Sequence, residues 1–400
     1  MSSADVVNSS PNSSKPSSRK SATPRIPSVE LGYVEESESW RLESHFFPSK
    51  VGGRPAWLSF KPLPTSDTIR CGICSEPCVF LLQVYAPLDN VRSTAFHRTL
   101  YIFVCRNPEC SSVNKADNFV ALRCQLPREN NFYSPEPLNI DQSESASNEN
   151  ESSYPSVLES VKRQDEYNDF KTCVLCGCTA DKQCGQCKRV HYCCKSHQEI
   201  DWKSGGHKEI CGKTTASGNA DSDKKNPLAF PEFELVTETE RYVEQKTKER
   251  SESDRLKAYE EYMQEQKKQG SGGGSGGMNE ESVQHLEAMA KAADKDFKLF
   301  RRRLEQNPEQ VLRYQRNGVP LWADRVNTPK DNDVAPCFLC GGPRVFEFQI
   351  MPHLLSYLEV DCVGRSLDWA TVAVYTCKDS CDVPEQGYAK EWVWKQDYAE

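Results

Sequence analysis

Apolar residues along this chain come in short runs. Val79 to Tyr85 (VFLLQVY) and Thr99 to Cys105 (TLYIFVC) are β-branched and aromatic, and their length predicts buried strands rather than helices. Val345 to Met351 (VFEFQIM) alternates, and Ala370 to Cys377 (ATVAVYTC) is β-branched again, so strand character returns near the C-terminus. Leu228 to Thr237 (LAFPEFELVT) sets Phe233, Leu235 and Thr237 on one side, with Pro231 marking an edge or a start. Helical spacing is confined to residues 279–306, where Phe297, Phe300 and Leu304 form a stripe at i, i+3 and i+7. A second helix is predicted next, with Asn307 as N-cap, Pro308 at N1, Gln310 at the capping-box position, and Val311, Leu312 and Tyr314 following. The expected fold class is α+β, mainly β.

Polar stretches separate these elements. Residues 1–28, rich in Ser and Pro with Lys15, Arg19, Lys20 and Arg25, read as a disordered tail that doubles as a weak nuclear-localisation candidate. Residues 140–170 read as a loose linker, 238–269 as a marginal helix or disorder, and 270–277 (GSGGGSGG) as an engineered flexible linker in place of a longer segment. The expected units are an N-terminal β-rich half (29–139), a Cys/His block (171–213), a strand with a charged linker (214–269), and a C-terminal half with helices (278–400). Only 37% of residues are hydrophobic and the mean hydropathy is −0.70, which agrees with unstructured stretches between compact units. The longest apolar run, Leu100 to Cys105, is six residues against the roughly 20 of a membrane helix, and the N-terminus has no secretory features. No membrane partner is expected.

Nineteen cysteines change the picture. An odd count without an export signal points to metal ligation rather than disulfides. Two parts of the chain also match. Cys71-Gly-Ile-Cys74 and Cys337-Phe-Leu-Cys340 are each followed by Phe (Phe80, Phe346) and then Gln (Gln83, Gln349) at equal distances. Each half then ends a strand in a cysteine pair: Cys105 with Cys110, and Cys377 with Cys381. Four thiolates from two knuckles make the tetrahedral site zinc prefers. Zinc-ribbon-like sites are therefore expected at Cys71, Cys74, Cys105 and Cys110, and at Cys337, Cys340, Cys377 and Cys381. The repetition weighs against simple buried thiols, and implies duplicated halves that superpose and share an interface.

Between them lie Cys173 with Cys176, Cys184 with Cys187, Cys193 with His197, and His207 with Cys211. The first two pairs are knuckles; the last two have the i, i+4 spacing of one helix face. Eight ligands suffice for two more Zn2+. Cys178 and Cys194, beside ligands, leave the assignment open. Lys182, Lys188, Arg189 and Lys195 form a possible basic patch, more economically read as a solvated face. The net charge of −8 becomes −14 once fourteen ligand thiols ionise and four Zn2+ bind. An acidic chain is a poor nucleic-acid binder and suits a basic protein partner.

The block, with Tyr192-Cys193, Gln198, Asp201-Trp202 and His207-Lys208, resembles a MYND zinc finger. That resemblance implies interleaved ligands: Cys173, Cys176, Cys193 and His197 in one site, Cys184, Cys187, His207 and Cys211 in the other. His197 stands where most such fingers have Cys. It also implies an inserted, autonomous module that binds peptides. Further segments resemble the programmed cell death protein 2 family: Val29 to Tyr33, Phe47 to Leu58, Leu82 to Leu88, Leu126-Pro127-Arg128 with Phe132-Tyr133-Ser134, Phe230 to Glu234, Pro308 to Tyr314, Phe346 to Gln349 with Met351-Pro352, Asp368-Trp369, and Trp392 to Gln396. This resemblance implies a dedicated chaperone, cytoplasmic and nuclear. Its client would be the newly made universal small-subunit ribosomal protein five (eukaryotic ribosomal protein S2), escorted for small-subunit assembly. The alternative is a MYND-type adaptor docking Pro-rich peptides in transcriptional corepression.

An enzyme is not expected. No P-loop, G-x-S-x-G or H-E-x-x-H occurs, nor the Asn-His-Ser-Cys-type motif of SET methyltransferases. His45, His97, His285 and His353 are scattered, and His97 and His353 are expected to be structural.

Overall fold

The computed structural model describes residues 28–136, 171–213, 226–241, 296–360 and 366–398. The expectations for residues 1–27, 137–170, 214–225, 242–295 and for Cys362 fall outside these. The described strands, in chain order, are β1 (Glu30–Glu35), β2 (Lys50–Val51), β3 (Val79–Tyr85), β4 (His97–Val104), β5 (Phe119–Leu126), β6 (Lys182–Gln183), β7 (His191–Tyr192), β8 (Phe233–Thr239), β9 (Leu312–Tyr314), β10 (Arg344–Ile350), β11 (Thr371–Cys377) and β12 (Tyr388–Gln396). Helices are few among the described residues: α1 (Lys195–Lys203), α2 (His207–Ile210) and α3, helical over 296–306. The protein is mostly β, so the α+β expectation overstated its helix.

Ten strands close a barrel in the order β1-β8-β2-β3-β4-β5-β12-β11-β10-β9, with β9 pairing back to β1. The two expected halves thus share one sheet, joined where Tyr388 to Glu391 of β12 pairs with Cys124 to Ala121 of β5. Outward from that seam the order repeats in mirror fashion: β5-β4-β3 on one side, β12-β11-β10 on the other. Registers shift at matching places, between Phe80 and Leu82 in β3 and between Phe346 and Phe348 in β10.

The predicted second helix is replaced by strand β9. Gln310 does not open a helix; its Nε2 donates to the Arg303 and Asn307 carbonyls at 3.0 and 2.7 Å, closing the end of α3. Leu312 instead pairs with both Gly32 and Ile350, completing the barrel, and Val311 and Leu312 are fully buried. Ladder bonds and burial outweigh a local helix-start signal. Glycine at position 32 permits this closure, since a Cβ there would stand 2.9 Å from Leu312 Cβ. Pro231 precedes β8, so it marks a start; β8 itself lies between β1 and β2.

Much of the barrel interior is apolar, with Leu82, Val84, Leu100, Ile102, Leu235, Leu312, Phe348, Ile350, Val372, Val374 and Trp369 in one core. Strand β4 is buried along its whole length because both of its faces are covered. Buried charge also links the halves. Arg98 donates two bonds to the Glu347 carboxylate at 2.6 and 2.8 Å, and Arg123 and Arg344 share Glu391 at 2.7 and 2.8 Å. Burial would raise the Glu347 pKa, but Arg98 and Arg316 outweigh it and hold the carboxyl at about 2.

Candidate metal centres and the docked finger

Each expected knuckle forms the same turn. The N–H of Ser75, Gly177, Lys188 and Gly341 donates to the carbonyl of the knuckle's first cysteine at 3.0, 2.9, 2.9 and 2.8 Å. All four donors have left-handed backbones, with φ between 54° and 72°. This turn lifts both thiols of a C-x-x-C to one side, ready for a second ligand pair.

The structure brings the sixteen expected ligand residues into four quartets: Cys71, Cys74, Cys105, Cys110; Cys173, Cys176, Cys193, His197; Cys184, Cys187, His207, Cys211; and Cys337, Cys340, Cys377, Cys381. The two finger quartets interleave along the chain. Ligand atoms within each quartet lie within 4.8 Å of one another. Sulfur pairs stand 3.7 Å apart for Cys74 and Cys105, and 3.6 Å for Cys176 and Cys193, Cys184 and Cys211, Cys337 and Cys381, and Cys340 and Cys377. A disulfide needs about 2.05 Å. A tetrahedron with Zn–S bonds of about 2.3 Å has edges of about 3.8 Å, and an S–N edge of about 3.6 Å. His197 Nδ1 lies 3.5 Å from Cys173 Sγ, and His207 Nε2 lies 3.6 Å from Cys187 Sγ. The donor sets therefore fit Zn2+, and the two histidines would offer different ring nitrogens.

Neighbouring cysteines have other work. Cys194 is the N-cap of α1, its sulfur accepting from His197 N at 3.4 Å. Cys178, fully buried, gives its carbonyl to Cys173 N at 2.8 Å. Burial pushes the Cys124 thiol up to about 12 and raises that of Cys78, so both stay neutral. His97 is structural: it stacks on Phe47 at 4.1 Å and its Nδ1 lies 3.0 Å from Tyr85 Oη, and burial pushes it down to about 4. His353 meets Tyr357 edge-on at 5.4 Å. Lys182, Lys188, Arg189 and Lys195 are all exposed, with Lys182 paired to Asp181 and Lys195 to Glu199.

The finger is not a free module. Its first quartet side, with Leu175, Cys178 and Ala180, packs into one core with Trp57, Phe80, Tyr101, Phe103 and Leu122 on the outside of β3-β4-β5. Trp57 Nε1 donates to the Gly177 carbonyl at 2.8 Å, and Thr179 N donates to the Pro64 carbonyl at 2.9 Å. A Cβ at Gly177 would meet Trp57 Nε1 at 3.3 Å, so glycine lets the carbonyl approach.

Cross-braces tie each half to the other's cysteine loop. Arg123 of β5 donates to the Cys381 carbonyl at 2.9 Å and stands 3.6 Å from Cys381 Sγ. Lys395 of β12 donates to the Ser112 carbonyl at 3.2 Å, just past Cys110.

Sequence comparison agrees with this layout. Family models described as "Programmed cell death protein 2, N-terminal domain", "MYND finger" and "Programmed cell death protein 2, C-terminal putative domain" match residues 28–140, 173–211 and 294–397. "Programmed cell death protein 2" of Bos taurus is 42% identical over 372 residues, covering 92% of this chain and 96% of that protein. The chain belongs to the programmed cell death protein 2 family. Within the wider family, "Programmed cell death protein 2-like" of Mus musculus is 28% identical over 84% of this chain and 86% of its own length. "Probable 20S rRNA accumulation protein 4" of Schizosaccharomyces pombe is 26% identical over 91% of this chain and 96% of its own length. No solved structure matches.

One recurring feature was missed in the sequence. Gly53-Arg-Pro-Ala-Trp57 and Gly318-Val-Pro-Leu-Trp322 share a G-x-P-x-W pattern, fourteen and fifteen residues before their knuckles. Gln83 accepts from Ala56 N at 2.9 Å, and Gln349 accepts from Leu321 N at 2.6 Å. The buried glutamine of each half therefore holds the residue before that half's tryptophan. The repeat was visible in the letters; its partner, the glutamine, became meaningful only with the contact.

Proposed function

We propose that this chain is a zinc-dependent, non-enzymatic chaperone of the cytoplasm and nucleus that binds a newly made basic ribosomal protein of the small subunit and escorts it for ribosome assembly. The client expected from the family is universal small-subunit ribosomal protein five (eukaryotic ribosomal protein S2). Family membership carries this reading, and the name of the Schizosaccharomyces pombe relative, which concerns 20S rRNA accumulation, supports it. The chain's charge supports it too: −8 as sequence and −14 with four Zn2+ bound, which favours capture of a cationic protein. All four quartets are proposed as structural zinc sites, since each is closed by four protein donors with no position left for a substrate.

The two β-rich halves are copies of one unit. Three likenesses support this: the mirrored strand order, the matched register shifts, and the paired glutamine and G-x-P-x-W contacts.

The test is capture. The tagged chain is co-expressed with the S2-type protein, and soluble client and co-purified proteins are measured by mass spectrometry. A small-subunit ribosomal protein enriched and kept soluble is the expected result. Client solubility unchanged by the chain would refute the chaperone. Enrichment of Pro-rich regulatory proteins through the finger alone would favour the adaptor.

A further inference from the structure

The N-terminal half hides its outer face under the finger. The equivalent face of the C-terminal half has no finger on it. There Phe346 of β10, Tyr375 of β11 and Trp392 of β12 stand in register across the sheet; Phe346 and Tyr375 are buried, and the half-buried rings of Trp322, Trp392 and Trp394 form the accessible part. Trp392 and Trp394 stack with centroids 5.6 Å apart, and Tyr375 meets Trp392 edge-on at 5.3 Å. Trp57 is 4% exposed and its indole N–H is satisfied by Gly177. Its counterpart Trp322 is half-buried.

We propose that this aromatic face is where the basic client docks, through an extended arginine-bearing segment. The inference rests on the chaperone reading above and adds the surface. Indole and phenol faces attract cations, and a planar guanidinium stacks on them better than an ammonium does. The molecule already uses this contact: Arg106 lies over Phe230 at 4.9 Å, and Arg344 over Phe338 at 5.0 Å. Charge also suits a cation. A four-thiolate zinc site carries −2, and the quartet of Cys337, Cys340, Cys377 and Cys381 lies on the same half. Its knuckle bears Phe338, 75% exposed, and Leu339, 44% exposed. In residues 325–333 and 378–390 five exposed carboxylates (Asp331, Asp333, Asp379, Asp382 and Glu385) stand against four exposed cations (Arg325, Lys330, Lys378 and Lys390). The finger's own docking indicates the backbone requirement: a small residue whose carbonyl can approach an indole N–H, as Gly177 does at Trp57.

The experiment uses the full zinc-loaded chain and three labelled peptides of equal length: alternating Arg and Gly, alternating Lys and Gly, and a Pro-rich sequence. Anisotropy should rank the Arg peptide first, and Trp392→Ala should weaken it by about tenfold. Trp322→Phe, which keeps the ring and removes the N–H, should weaken it by about threefold. Ile210→Ala on the finger should change nothing. If Trp392→Ala melts abnormally, Trp322→Phe and the exposed Phe338→Ala decide. Equal affinity for Arg and Lys peptides, a preference for the Pro-rich peptide, or variants indistinguishable from wild type would overturn the proposal. Client capture separates the two readings. Full capture by Trp392→Ala sinks the face but leaves the chaperone. Failure of the wild-type chain to capture any small-subunit ribosomal protein sinks the chaperone, and the peptide ranking still decides the face.

Discussion

The two β-rich halves solve the same packing problem differently. Both turn one sheet face into the common barrel core, and both must deal with an apolar outer face. The N-terminal half carries Trp57, Phe80, Tyr101, Phe103 and Leu122 there and covers them with a zinc finger and with Phe132 and Tyr133. The C-terminal half carries larger rings, Trp322, Trp392 and Trp394, and leaves them half-buried beside Val334. Burying an aromatic side chain supplies several kcal/mol, so the covered face belongs to stability. The open one keeps a surface that a partner can still bury. The two halves therefore differ in how much of their outer aromatic face is already covered.

The largest effects should come from the metal sites, where the halves are expected to behave alike. Metal analysis should find close to four Zn2+ per chain. Structural zinc contributes roughly 10–16 kcal/mol of apparent binding energy. Cys74→Ser and Cys340→Ser should each lower the zinc count by one and depress the melting temperature most of any variants here. Because one closed barrel joins the halves, each variant should melt in a single transition. A wild-type count of two would leave the eight cysteines of the β-halves as thiols and end the symmetry argument.

The next effect separates the halves. Glu347 occupies the shifted position of β10, and Leu81 the matching position of β3. Glu347→Gln strands Arg98 and should cost about 3–5 kcal/mol, the range for breaking a buried pair. Its pH dependence has a definite sign. The folded carboxyl is held at about 2, below the roughly 4.3 of an unfolded Glu. The contribution is therefore complete above about pH 4.3 and is lost as pH falls toward 2. The variant should lack that acid-limb loss in urea melts. A wild-type acid limb unchanged in the variant would remove Glu347 from the linkage.

A smaller difference tests the cover. Trp57→Ala should cost about 3–5 kcal/mol, because a buried indole and its bond to the finger go together. Trp322→Ala, on the open face, should cost clearly less, about 1 kcal/mol. Deleting 171–213 should resemble Trp57→Ala rather than leave the barrel untouched, since it bares the same aromatic face. Equal costs for the two tryptophans, read from chemical denaturation midpoints, would mean that the faces do not differ.

Much of this was legible in the letters. Ligand spacing picked out all sixteen quartet residues, and the four best apolar runs became β3, β4, β10 and β11. Closure was not legible. β9 is three residues long and reads locally as a helix start, and only its pairing with Gly32 and Ile350 makes it a strand. The finger's docking was missed as well, because Trp57 and Gly177 are 120 residues apart and neither letter announces the other. Nothing in the letters marks Arg123 or Lys395 as special. Their role as braces on the opposite half's cysteine loops exists only once β5 and β12 lie side by side.

The smallest predicted effect exchanges the knuckle turns themselves. After the second cysteine, the N-terminal half has Ser75 at φ 63° and the C-terminal half has Gly341 at φ 68°. A left-handed backbone costs a non-glycine residue about 1–2 kcal/mol, while glycine loses about 0.4–1 kcal/mol more chain entropy on folding. The two terms oppose each other, and the steric one is larger. A Cβ at Gly341 would meet nothing within 4 Å, so only the backbone term acts there. Gly341→Ser should destabilise by roughly 1 kcal/mol with all zinc retained, and Ser75→Gly should stabilise by a similar or smaller amount. Urea midpoints with a zinc assay measure both. If the two exchanges shift stability in the same direction, the knuckles do not share one turn, and their kinship fails at its most local point.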